Sequence, residues 1–435
     1  MPSLQAGCTV RTLQRGRTVT RSNGFSAETL QGSFGHLHGP LDAIGSIQRN
    51  DALSTIGLTK LSSLVIRDSS RATASTDSRH FADNAVIDRF LKQTPVTRYY
   101  GSKRKLLAWI YEVTSTLSFD TVLDLFGGTA SVSLLFKAMS KKVSYHDGFT
   151  FNADVAHTIL SDNVALDETW VAGFLERLRP CDGVVAANFD GIYYTVEENR
   201  WIDGFMAAQS AQTLGDRERQ LLRYLLYQAC LKKRPFNLFH RANLSIRTRT
   251  DVQRSFGNLT TWNKPFEVHI LASLRELQKA LVMSPRSHEI IPSTNAQEVA
   301  PGYDLVYLDP PYVGHSSAQN RDNYWMKYHF LEGLSRYNEW DGLIDRKANT
   351  RHMREPAWMR DWSDKKLFKD LLFSTIVRHR ESIVVLSYVA DSVPHHQEIE
   401  SYFRSIFSEV SMFHKSHRYA LSGKEKNEIL FVGIP

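Results

Sequence analysis

The chain has 435 residues, 42% of them hydrophobic, with a formal net charge of +7 and a pI near 9.1. That length suits two domains or one large domain with insertions, and the basic balance favours a polyanionic partner. No apolar run reaches membrane-spanning length, which predicts a soluble protein; three widely spaced cysteines, Cys8, Cys181 and Cys230, suit a reducing compartment and make neither a disulfide framework nor a zinc site.

Residues 1–88 read as a disordered extension, rich in Ser, Thr, Gly and Arg, with Arg11, Arg15, Arg17 and Arg21 all preceding the first acid, Glu28. An organelle transit peptide has a similar composition. Disorder, or a start codon set too far upstream, accounts for it equally, so no chemistry is placed there.

Residues 89–160 read as the first part of a catalytic domain. Tyr99-Tyr100-Gly101-Ser102-Lys103 is a glycine-containing basic loop that leads into a helix at Leu106. Free N–H groups at a helix N-terminus attract anions, although a solvated basic turn explains the loop as simply. Thr121–Leu125 has the pattern of a buried strand. Phe126-Gly127-Gly128-Thr129 then turns the chain into a helix, and a second strand, Lys142–His146, ends at Asp147. This is a βαβ nucleotide-binding half, in which glycines admit a ligand to the backbone and an acid about twenty residues on takes ribose hydroxyls. The turn lacks the G-x-G-x-x-G spacing, so a dinucleotide is not indicated. A bare Gly-Gly turn is also often only structural.

Residues 161–299 interrupt the α/β alternation and read as an inserted recognition region. The best helix there spans Gln220 to Leu231. Beyond it Lys232, Lys233, Arg234, Arg241, Arg247, Arg249, Arg254 and Lys264 face one acid, Asp251, and are interleaved with Phe236, Phe239, Phe256 and Trp262. Cations mixed with aromatics suit a nucleic-acid surface. Lys232 and Lys233 are expected on phosphates; Arg247 or Arg249, alternating with Thr on a strand-like stretch, is expected on base edges, and Arg234 and Arg241 are also expected to bind DNA. The competing reading is a solvated basic loop whose aromatics pack on the core.

Residues 300–435 return to the catalytic domain around Leu308-Asp309-Pro310-Pro311-Tyr312. Tyr303–Tyr307 reads as a buried strand, and two prolines end it because neither donates to a ladder. The exocyclic amine of a nucleobase is a poor nucleophile, its lone pair being delocalised into the ring. A carboxylate and a carbonyl that each accept one N–H draw that pair back onto nitrogen. Asp309 offers the carboxylate, Pro310 a carbonyl held by the next proline, and Tyr312 a face for a flipped base. An isolated Asp-Pro-Pro reads equally well as a turn capping a helix; the tyrosine, placed after a strand, weighs against that. Further on, residues 341–366 read as an exposed charged loop, Ile383–Tyr388 as a buried strand, and Val410–Phe413 with Glu428–Gly433 as a closing antiparallel pair.

Together these motifs resemble the Dam-like alpha group of adenine-specific DNA methyltransferases: a glycine-lysine loop, the Asp124-Leu125-Phe126-Gly127-Gly128 loop, a basic insertion and Asp309-Pro310-Pro311-Tyr312, in that order over roughly residues 95–435. The resemblance implies an α/β, Rossmann-like methyltransferase sheet with an inserted target-recognition region. It implies S-adenosylmethionine as donor and the N6 amine of adenine in double-stranded DNA as acceptor, within a restriction-modification system; whether a cognate endonuclease accompanies the chain stays open. By this similarity Tyr100, Gly101, Lys103, Asp124, Phe126, Gly128, Asp147 and Asp309 line the cofactor site, and Asp309, Pro310 and Tyr312 hold the adenine. The first loop departs from the group's W-x-G-G-K form. Two other readings stay open: an amino-group methyltransferase acting on RNA or on a protein glutamine, and a non-catalytic DNA-binding relative. The long interval from Asp124 to Asp309, with room for a DNA-reading region, and Asp rather than Asn at the head of the turn weigh against the first. The intact Asp309 and glycine loop weigh against the second.

Overall fold

The computed structural model describes residues 86–94, 102–162, 167–235, 238–251, 259–314, 323–418 and 425–435. Nearly all of the N-terminal extension, together with Tyr100, Gly101, Phe236 and Phe256, lies outside them. Seven strands form one sheet: β1 (Thr121–Asp124), β2 (Lys142–Tyr145), β3 (Glu289–Ile290), β4 (Leu305–Leu308), β5 (Ile383–Val389), β6 (Glu409–Arg418) and β7 (Glu425–Ile434).

The residues of β4 show why the sheet is buried on both sides. Leu305 and Tyr307 enter one apolar core, Val306 and Leu308 the other, and all four are fully buried. Short continuous apolar strands of this kind belong to parallel sheets with both faces covered. The order is β3-β2-β1-β4-β5-β7-β6; β1 to β5 pair in parallel, while β7 runs antiparallel to β5 and β6 antiparallel to β7. The chain passes outward from β1 to β2 and β3, then returns to place β4 on the other side of β1. That reversal makes β1/β4 the switch point, and ligands of open α/β sheets bind outside the carboxyl ends of the strands there.

The expected strands and the closing antiparallel pair are present. The basic insertion is helical and continuous with the core. Its long helix Asp216–Lys232 packs on Thr150–Leu160 and on Phe266–Ala280, and Tyr227 meets Phe151 edge-on at 5.9 Å. β3 also falls inside the stretch 161–299, and the described residues all belong to one unit. The charged stretch 341–366, expected as an exposed loop, is corrected. Helices Tyr337–Leu343 and Ala357–Asp361 lie in or across it, and Trp340, Met353 and Trp362 are buried. Apolar anchors among the charges pin this segment to the sheet domain. Among the described residues no helix is long and apolar enough to cross a membrane.

Candidate active site

Four polar side chains from three distant parts of the chain meet at the carboxyl edge beside β4. Asp309 and Tyr312 follow β4 directly. Lys103 comes from a 3-10 helix, Lys103–Leu106, whose N-cap Ser102 accepts from the Arg104 N–H and whose Leu106 is buried. Glu428 comes from β7, at the position that pairs with Val389 at the end of β5. Because β7 runs antiparallel, a residue near its start reaches the edge where the parallel strands end.

Lys103 Nζ lies 3.1 Å from Asp309 Oδ1 and 3.5 Å from both Glu428 carboxylate oxygens, and it also donates to the Tyr312 hydroxyl. The Tyr312 hydroxyl donates to Asp309 Oδ1 at 2.7 Å and lies 3.3 Å from Glu428 Oε2. Lys103 and Glu428 are buried, whereas the Asp309 side chain keeps 19% of its surface exposed. Burial pushes the Asp309 carboxyl up to about 6; Lys103 opposes this, Glu428 reinforces it and the Tyr312 hydrogen bond opposes it. Burial alone would lower Lys103, but the charges of Asp309 and Glu428 hold it above its ordinary value, so it is an ammonium.

The glycine turn shares the cleft with Asp309. Gly128 has φ +50°, in the left-handed region that favours glycine, and Ala130 caps the following helix in the same region at +55°. A Cβ at Gly127 would lie 2.2 Å from the Tyr145 ring, so this glycine is needed for packing against β2. The Tyr145 hydroxyl donates to the Gly128 carbonyl at 2.5 Å. Asp147 accepts from Gly128 N, from Phe149 N and from Asn152 Nδ2, each at 2.9 Å. Burial raises its carboxyl against these bonds. Asp147 therefore ties the turn to the end of β2 while lining the cleft. Asp124 accepts from Ser133 Oγ at 2.6 Å, and burial pushes it up to about 7.

The cleft occupies about 1030 Å³ including its open mouth. Lys103, Asp124, Phe126, Gly128, Asp147, Asp309 and Tyr312 all line it, so the structure brings together every described residue of the expected cofactor site. Pro311 lines the wall; Pro310 beside it is buried. The opposite wall was missed in the sequence: Trp358, Met359 and Trp362 stand across from the glycine turn, with Phe126 and Trp362 edge-to-face at 5.0 Å. A Cβ on Gly148 would lie 2.7 Å from the end of the Met359 side chain and 3.0 Å from the Trp358 ring, which places this glycine against the same wall. Two tryptophans in a charged stretch were the available signal. Glu428 was also missed; a lone acid opening the apolar run Ile429–Val432 is its only mark in the sequence.

The six expected DNA cations divide. Lys232, Lys233, Arg234 and Arg247 are buried and bonded internally, which corrects their placement on a DNA surface. Lys232 bonds Glu276 and Ser273 at 2.9 Å. Lys233 pairs with Glu198 at 2.8 Å and donates to the Trp262 carbonyl. Arg234 donates to the Leu238 carbonyl and to Asn243, with its guanidinium 4.2 Å from the Tyr193 ring centre. Arg247 grips Glu198 through two bonds of 2.9 and 2.7 Å, and it lies on the short helix Leu244–Thr248 where a strand was expected. Of the aromatics beside them, Phe239 and Trp262 pack inside. Arg241 and Arg249 remain exposed, Arg249 paired with Asp251 at 2.7 Å.

A family model described as D12 class N6 adenine-specific DNA methyltransferase matches residues 99–387. The chain is also 24% identical over 350 residues to the Type II methyltransferase M2.HphI of Haemophilus parahaemolyticus, covering 78% of this chain and 97% of that protein.

Proposed function

We propose a division of labour for this chain, which belongs to the D12 class N6 adenine-specific DNA methyltransferase family and is an adenine-specific DNA methyltransferase: one cleft holds both the donor and a flipped adenine of duplex DNA. The observation that carries this reading is that Asp309, at the end of β4, and the Gly127-Gly128 turn, at the end of β1, open into the same cleft.

The donor implied by the family is S-adenosylmethionine, and the lining suits it. Phe126, Trp358 and Trp362 offer apolar faces for a purine, Asp147 lies where ribose hydroxyls would be taken, and Asp124 suits an ammonium. When bound, the donor supplies a methyl group on a positively charged sulfur. The chain's own residues do the rest. Asp309 accepts one N–H of the adenine amine, the Pro310 carbonyl the other, and the Tyr312 ring supports the base. The lone pair is then localised on nitrogen and aimed along the line of displacement. Positioning and a dry, preorganised site supply most of the rate. The amine loses its proton after transfer, to water.

Similarity to a Type II methyltransferase supports a place in a restriction-modification system, with a cognate endonuclease as partner and the cytoplasm of a prokaryote as setting. Methylation-sensitive sequencing of DNA from cells expressing the chain tests the reading. N6-methyladenine at one recurring sequence is expected; methyl groups confined to cytosine, RNA or protein would overturn it.

Two further outcomes are expected. Gly128→Val weakens donor binding more than DNA binding, because a branched residue strains the left-handed backbone and fills the space the ligand needs. Equal loss of both affinities with a lower melting temperature would assign the glycine to structure alone. Arg241→Ala lowers the slope of DNA affinity against salt by about one, as removal of a phosphate contact does. Binding titrations over a range of salt decide this, and an unchanged slope places the DNA track elsewhere.

A further inference from the structure

Glu428 lies outside the matched family segment, which ends at residue 387, yet it bonds the lysine that holds Asp309. It is fully buried on β7, and its carboxylate shares both Lys103 and the Tyr312 hydroxyl with Asp309. One ammonium is therefore shared between two carboxylates, at 3.1 Å from Asp309 and 3.5 Å from Glu428. We propose that Glu428 is a positioning residue for methyl transfer: by drawing on the charge and hydrogen bonds of Lys103, it keeps Asp309 electron-rich enough to accept the adenine N–H. This rests on Asp309 being the group that takes the amine.

The argument is one of charge. One ammonium faces two carboxyl groups, so the bonding of Lys103 is divided between them, and Asp309 keeps acceptor capacity for an N–H entering from the cleft. Without Glu428 the lysine and Asp309 form a closed neutral pair, and the carboxylate becomes a weaker acceptor toward a neutral amine. Asp309 lines the cleft and keeps 19% of its side chain exposed, while Glu428 is fully buried and does not line it, so only one of the two acids can meet substrate. Burial of two acids beside one base is expensive as a purely structural device, because a buried charge needs compensation in full. The groups that face Asp309 are Lys103, Glu428 and the Tyr312 hydroxyl, with Asp124 and Tyr307 close enough to act through space.

The test is steady-state kinetics of the full-length enzyme across pH, for Glu428→Gln and Glu428→Asp, with Asp309→Ala as control. Glu428→Gln is expected to lower kcat about tenfold or more, to leave KM for DNA and donor within about threefold, and to move the acid limb of kcat/KM downward by about one pH unit. Glu428→Asp, with its charge drawn back by one methylene, is expected to fall between the two in both measures. An unmoved acid limb overturns the inference even if kcat falls, since loss of structure alone does not retune Asp309. Should Glu428→Gln not fold, Glu428→Asp decides on the same limb. If Asp309→Ala stays active, the reading of the site itself fails; if it is inactive while Glu428→Gln matches wild type, only the role of Glu428 fails.

Discussion

Asp309→Ala is expected to reduce methyl transfer by a factor on the order of 10³ or more, with DNA and donor affinities held within about tenfold. The carboxylate bonds most strongly to an amine that is becoming positively charged, so its loss is felt in the transition state far more than in binding. The fold should tolerate the change. Asp309 is the more exposed of the two acids around Lys103, and its removal leaves the lysine paired with Glu428. No buried cation is orphaned, which is the circumstance that makes removal of one partner of a buried pair severe. The same chemistry predicts the acid limb of the wild-type enzyme. Burial holds Asp309 up to about 6, and only the ionised form accepts the amine, so kcat/KM should decline as pH falls through that value. Single-turnover methylation, paired with binding titrations, checks both statements. Retained transfer in the alanine variant, or its failure to fold, would remove Asp309 from the chemistry.

The parts of this site that follow one another closely in sequence were legible; those that meet only in space were not. Asp309 was readable because two prolines must end a buried strand, and the end of such a strand is where an α/β sheet presents its ligands. Gly128 and Asp147 were readable because a strand, a glycine turn, a helix and a second strand fix their separation. The role of Gly127 was not, since its small size answers to the Tyr145 ring, which only the packed sheet brings there. Glu428 reaches the site through the antiparallel direction of β7, which no local pattern states. The aromatic wall at Trp358 and Trp362 was hidden by the charges around it, because charge density alone does not reveal which residues anchor a segment.

The basic stretch carries the strongest lesson of this kind, and Glu198→Ala is its test. In sequence Lys233 and Arg247 have no acid beside them, and so resemble a surface waiting for phosphate. In the fold both close on Glu198, from the helix Val196–Ala211, which also completes a capping box with Thr195. Burial works to raise the Glu198 carboxyl, but the bonds to Arg247 and the charge of Lys233 bring it below the ordinary carboxylate range. A carboxyl depressed on folding contributes stability that is complete above its unfolded value and is lost as pH falls through the folded one, so the pair should hold at neutral pH and fail only in acid. Glu198→Ala leaves two buried cations facing each other. The expected cost is about 3–5 kcal/mol, as for other buried pairs broken on one side. Chemical denaturation should show it at neutral pH, and Glu198→Gln, which keeps a hydrogen-bond acceptor, should lose less. Lys233→Met should also destabilise, while leaving the salt dependence of DNA binding unchanged in the folded protein. If it instead lowers the salt slope by about one and leaves stability intact, Lys233 swings out to phosphate in the complex, and this network is a resting arrangement that DNA replaces.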